Sequence, residues 1–95
     1  MMNVIKADRD DAYEYDAKWR VTLSRRAYVN AMGVLERSYP HSYYIDRRKS
    51  PNPFAKPLAD WYYYHGVILL KHDEQLTWLS LHMDEIMYNP MDDLF

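Results

Sequence analysis

Four side chains of this chain, His41, His65, His72 and His82, can exchange a proton near neutral pH, so any acid-base chemistry starts with them. His72 stands beside Asp73 and Glu74, and His82 close to Asp84 and Glu85; imidazole with carboxylate is a common zinc set. The spacing does not make a site. There is no His-Glu-x-x-His, and His72 and His82 lie ten residues apart, which on a helix is nearly three turns. The neighbouring pairs Asp10/Asp11 and Asp92/Asp93 contain carboxylates that point to different sides of a strand or a helix, which favours solvation over a shared proton. No Gly-x-Ser-x-Gly elbow is present, and Gly33 and Gly66 are too few for a loop that cradles phosphate. With Cys 0, disulfides, thiolate nucleophiles and Cys-based zinc sites are excluded. The expectation is a protein without enzyme activity, cofactor or metal.

What the chain has in quantity is rings. Tyr 10, Trp 3 and Phe 2 in 95 residues are rich in the amphipathic types that dominate binding energy at protein interfaces. Tyr13, Tyr15, Trp19, Tyr28, Trp61 and Tyr63 sit where apolar patterns call for core. Tyr39, Tyr43, Tyr44, Tyr62, Tyr64 and Trp78 lie beside loops, on the second face of a strand or off a helix stripe, and are the candidate contacts with a protein partner.

Charge is segregated along the chain. Residues 1–17 set Lys6 and Arg9 against Asp8, Asp10, Asp11, Glu14 and Asp16, a net −3. Residues 18–56 carry nine bases against Glu36 and Asp46, a net +7, and residues 57–95 carry Lys71 against seven acids, a net −6. Three outcomes are open: the segments neutralise one another within the fold, a charged face meets an oppositely charged protein, or the basic middle meets nucleic acid. For the last, Arg25, Arg26, Asn30, Arg37, Arg47, Arg48 and Lys49 are the candidate contacts, although the total of −2 opposes phosphate binding. In the inverse case, Asp73, Glu74, Asp84 and Glu85 imitate nucleic acid or otherwise contact a partner.

The elements that must position these groups follow from hydrophobic period. Residues 2–7 read as a short strand. Tyr13, Tyr15, Ala17, Trp19, Val21 and Leu23 alternate with polar residues, the period of a strand over 13–23 with one face buried. Ser24 then caps a helix over 25–38, with Ala27, Tyr28, Ala31, Met32, Val34 and Leu35 on one side and Arg26, Asn30, Gly33 and Arg37 on the other. Pro40 stops it. Residues 42–47 read as a strand, and Pro51, Pro53 and Pro57 make 48–59 a loop. Residues 60–71 form a strand with a bulge or close backbone approach at Gly66; Val67 to Leu70, apolar on both faces, have the pattern of a central strand. For 74–88 a helix is favoured, with Leu76, Leu79, Met83, Ile86 and Met87 in one stripe; the alternative is a hairpin strand over 75–83.

The expected architecture is α+β: one domain over 1–95, a small mostly antiparallel sheet with helix 25–38 on one face and a C-terminal helix. No charged-then-apolar leader and no long apolar run is present, so a soluble cytoplasmic protein is expected. A small cysteine-free chain with polarised charge has the general look of inhibitors encoded by phages and mobile elements. The leading expectation is a protein-binding inhibitor or regulator, with a homodimer allowed; the second is a nucleic-acid binder.

Overall fold

The structure, a computed structural model, describes residues 2–46 and 58–88. Five strands and four helices follow in the order β1 (Met2–Lys6), α1 (Arg9–Tyr15), β2 (Trp19–Leu23), α2 (Arg25–Ser38), β3 (Ser42–Tyr44), β4 (Trp61–Tyr64), β5 (Val67–Leu70), α3 (Asp73–Leu81) and α4 (Met83–Ile86). The strands make one sheet, β1-β2-β5-β4-β3, antiparallel throughout except for the outermost pair β3/β4. The fold is α+β, as the hydrophobic pattern indicates.

The first departure lies at residues 13–18. The alternation there does not continue the strand: Tyr13 and Tyr15 end helix α1, and the strand starts only at Trp19. The Asp8 carboxylate accepts the Asp11 backbone N–H at 2.8 Å, and Asp10 and Asp11 place negative charge in the first turn, where the helix dipole favours it. Asp16 closes the helix in the left-handed conformation, φ 53°. A helix of 7 residues completes only two turns, too few for its period to stand out against a chance alternation running into a real strand. Tyr13 is consequently 74% exposed rather than core.

From Trp19 the period-two reading holds. Val21 and Leu23 are buried and Trp19 half-buried, on the sheet face covered by α2, α3 and α4. Ser24 occupies the cap position of α2 without a hydroxyl hydrogen bond to the helix, and Ala27, Ala31, Val34 and Leu35 are its buried residues. The expected strand 42–47 is shorter, Ser42–Tyr44, and Arg47 lies outside the described residues, as does most of the loop 48–59.

Residues 60–71 are two strands, not one. His65 and Gly66 both have positive φ, 29° and 84°, the conformation of the two-residue turn whose twist matches antiparallel strands. Gly66 does mark a close approach: a Cβ there would lie 3.3 Å from the Leu23 carbonyl oxygen, and the Gly66 carbonyl accepts the Leu23 N–H at 2.9 Å. The apolar run Val67–Leu70 becomes β5, the central strand, with all four side chains buried.

The last element is helical, as favoured over a strand, but it breaks at His82 into α3 and α4. Its start is organised by Gln75, fully buried, whose Oε1 accepts the backbone N–H groups of Lys71 and His72 at 2.9 and 3.1 Å. The same side chain gives its Nε2–H to the Asp60 carbonyl at 2.7 Å, joining the ends of β4 and β5 to α3.

Two cores result, one on each side of the sheet. The larger is formed by Val21, Ile68, Leu70 and Trp61 beneath α2, α3 and α4. The smaller contains Tyr62, Tyr64, Val67 and Leu69 with Ala17, Ile45 and Ala59, and Tyr15 packs against it. No helix among the described residues is long and apolar enough to cross a membrane.

Candidate functional site

All three tryptophans use their indole N–H as a tie between elements. Trp19 donates to Asp73 Oδ1 at 2.8 Å, Trp61 to the Tyr39 carbonyl at 2.7 Å, and Trp78 to the Val34 carbonyl at 2.8 Å. A half-buried indole with its donor satisfied and its ring packed is architecture. Trp78, expected at an interface, packs its ring at a tilt against His82 with centroids 4.1 Å apart and serves to hold α3 on α2. Tyr39 ends α2, and its carbonyl is the acceptor that anchors Trp61.

Two more expected contact residues turn inward. Tyr62 is 2% exposed, its ring 4.9 Å from that of Tyr15 and its hydroxyl pushed above the usual phenol value, chiefly by burial. Tyr64 is buried in the same core. Both face the second side of β4, which is covered rather than open. Sequence alone presents that side as a candidate surface because nothing local shows that Ala17, Ile45 and Ala59 will close over it.

Tyr43 and Tyr44 stay at the surface. They lie on β3, the edge of the sheet, 48% and 40% exposed, and project to opposite faces. The Tyr43 ring meets Tyr62 edge-on at 6.3 Å; the Tyr44 ring lies 5.6 Å from Tyr63 and 6.0 Å from His65. The Tyr44 hydroxyl and His65 Nε2 share a hydrogen bond of 3.1 Å across the hairpin turn. Tyr28 on α2 adjoins this group, and burial followed by the neighbouring Tyr63 and Tyr44 hydroxyls pushes its own hydroxyl above the ordinary value. The Ile45 N–H bonds to the Tyr63 carbonyl at 3.0 Å. Alternate residues of a strand address alternate neighbours, so the N–H and C=O of Tyr44 point away from β4, outward from the sheet. Exposed rings packed on neighbouring rings, beside a backbone edge that no other strand among the described residues pairs with, are what an extended partner segment can pair with.

The segregated charges largely meet one another. Lys18 reaches Asp73 at 2.8 Å, Arg37 reaches Glu85 at 2.7 Å, and Arg20 lies 3.9 Å from both Asp8 and Asp11, so each pair joins the basic middle to an acidic end. Lys18 first, then the Trp19 indole, holds the Asp73 carboxyl below the usual carboxylate range. The proposed basic stripe on α2 is thereby divided. Arg37 faces α4, and Asn30 gives its Nδ2–H to the Ile86 and Tyr88 carbonyls at 3.1 and 3.4 Å, capping the end of α4. Arg25 and Arg26 are exposed on the first turn of α2, while Arg47, Arg48 and Lys49 lie outside the described residues. Of the acidic candidates, Glu74 and Asp84 are exposed, whereas Asp73 and Glu85 hold the ion pairs just described.

Sequence reasoning named His65 only as a titratable group, not as a turn residue, and gave Gln75 no role. His65-Gly66 between two runs of β-forming residues is a recognisable turn signal, and it brings His65 to Tyr44. Gln75 carries a weaker signal, a helix N3 position suited to a capping box. Among the described residues, no group of three or more His, Cys, Asp or Glu is placed to hold a metal ion. Compared with protein-family models, with curated proteins and with solved structures, the chain gives no match.

Proposed function

We propose that this chain is a non-enzymatic protein-binding domain, an inhibitor or regulator of a partner protein, and that it takes hold of the partner at β3. The observation that carries the reading is the pair Tyr43 and Tyr44, both exposed on opposite faces of an edge strand whose outer backbone groups point away from the sheet. A partner strand laid against that edge gains main-chain hydrogen bonds, and the two rings contribute contact area on both faces at low entropic cost. The His65–Tyr44 hydrogen bond holds one ring in place before binding, which reduces the ordering that association must offset.

The test compares affinity capture by the wild type, Y43A/Y44A and Y13A. Tyr13 is a more exposed ring on a different element and serves as the surface control. A partner retained by the wild type and Y13A and lost by Y43A/Y44A supports the reading; equal recovery by all three overturns it. The nucleic-acid alternative has less support, because Asn30 and Arg37 are engaged with α4 and its neighbourhood. A salt-sensitive gel shift abolished by R25A/R26A would favour it instead.

A further inference from the structure

The opposite edge of the sheet has a different character. β1 pairs with β2 without interruption from Met2↔Leu23 to Lys6↔Trp19, so it contains no bulge, and it has neither proline nor a residue of positive φ. Bulges, prolines and inward-pointing charges are the usual devices that keep an edge from pairing with another chain. The one charge in β1, Lys6, sits at its end, and the centre Asn3-Val4-Ile5 is uncharged. The Ala7 N–H bonds to the Lys18 carbonyl at 3.0 Å, which fixes the alternation: odd residues direct their backbone groups to β2. The N–H and C=O of Met2, Val4 and Lys6 therefore face outward. On the sheet's second side, Asn3, Ile5 and Thr22 are exposed, Ile5 by 50%, so among the described residues the ladder ends in an edge that no strand pairs with and a shoulder on which Ile5 is uncovered.

From this edge we infer that the protein forms a homodimer in which β1 of one copy pairs antiparallel with β1 of a second. The strand is complementary to its own reversed copy. The register that uses all five residues puts Val4 opposite Val4 on the twofold axis, Asn3 opposite Ile5, and Lys6 opposite Met2. No charge meets a like charge, because reversal carries the two lysines to opposite ends of the ribbon. The outward-facing residues Met2, Val4 and Lys6 are those that this register places in hydrogen-bonded pairs, so the backbone pattern and the charge pattern select the same alignment. Asn3 and Ile5 form the close, non-hydrogen-bonded pairs on the open face, where Ile5 loses its exposure. The two sheets become one, and the two β3 edges fall at its far ends. This inference does not depend on the role given to β3.

The register predicts a charge-swap experiment. In N3E/I5E the new carboxylates at positions 3 and 5 oppose each other twice across the dimer axis, while within one copy position 5 faces Arg20. In N3K/I5K two pairs of ammonium groups oppose each other in the same way. By sedimentation equilibrium, the wild type is expected to show a concentration-dependent monomer-dimer mass and each variant a dissociation constant weaker by about tenfold or more. An equimolar mixture of the variants is expected to regain the dimer, because every opposed pair then becomes an attraction. V4P is a second probe: it removes the two central bonds across the axis and leaves the β1-β2 bonds intact, since the Val4 N–H faces outward. Circular dichroism establishes that each variant is folded. A wild type that stays monomeric overturns the inference and leaves the edge to a strand of another protein. A dimer indifferent to the substitutions, or a mixture that stays monomeric, overturns the register.

Discussion

Gln75 offers the sharpest test of how this small fold is held together. Replacing it with Leu keeps the volume and the burial but leaves the Lys71 and His72 N–H groups and the Asp60 carbonyl without their partner. Each backbone group deprived of a buried hydrogen bond costs about 1–3 kcal/mol, so three together amount to roughly 3–9 kcal/mol, brought toward the lower end by water that reaches the exposed His72 and by the apolar contact that Leu gains. Net, about 3 kcal/mol is expected, a large share of the stability of a domain this small. For a chain of this size that is a fall in Tm of roughly 12–24 °C. Q75E separates hydrogen bonding from shape. Its ionised carboxylate can still accept from Lys71 and His72, but it has no proton for the Asp60 carbonyl and is buried. Burial raises its pKa in the folded state above the unfolded value of about 4.3. A raised folded pKa means that protonation favours folding, so Q75E is expected to be unstable at neutral pH and to regain stability as pH falls through its raised pKa, when its O–H can donate to Asp60. Thermal and urea unfolding followed by circular dichroism at several pH values reads both effects. A Q75L protein within about 0.5 kcal/mol of wild type would refute the assignment, since that is the scale of an ordinary surface change.

Other outcomes follow from the same geometry. G66A should destabilise by about 1–2 kcal/mol, because a Cβ would meet the Leu23 carbonyl while φ stays at 84°; chemical denaturation checks it. W78F removes the indole donor to the Val34 carbonyl and should cost about 1–2 kcal/mol, with protection from hydrogen exchange lost first in α3. Asp73, whose carboxyl is held below the ordinary range by Lys18 and Trp19, contributes above its unfolded pKa and loses that contribution as pH falls through the lowered folded value. The Trp19 indole proton resonance should therefore titrate with a midpoint below that of a free aspartate, and D73N should abolish the transition. R37A should change stability by no more than about 1 kcal/mol, because its ion pair with Glu85 is half-exposed on both sides.

Much of the architecture is local enough to be legible in one dimension. Trp19-x-Val21-x-Leu23, the Ser24 boundary, the apolar stripe of α2 and the four apolar residues of β5 each satisfy a single periodic rule, and each element forms where that rule places it. The errors share one cause. At residues 13–18, a short helix, its cap and the start of a strand happen to compose one alternating run, and the side chains do not distinguish the two conformations that compose it. In 60–71, a turn of two residues separates strands whose patterns merge.

For the candidate site the division is different. The abundance of Tyr and Trp and the segregation of charge are properties of the sequence itself, and they alone direct attention to interaction surfaces rather than to catalysis. Which rings remain at the surface is a matter of tertiary structure. Tyr43 and Tyr62 are adjacent cross-strand neighbours of the same type, yet one is exposed and the other buried, because β3 is the edge and β4 has a strand on either side. Strand order depends on contacts between residues far apart in the chain, and no local pattern encodes it. The charges obey the same logic: Lys18 with Asp73 and Arg37 with Glu85 become partners only when α3 and α4 settle against β2 and α2. The sequence by itself determined how many rings and charges this protein has and the period of most of its elements; the tertiary structure decided which of them face water.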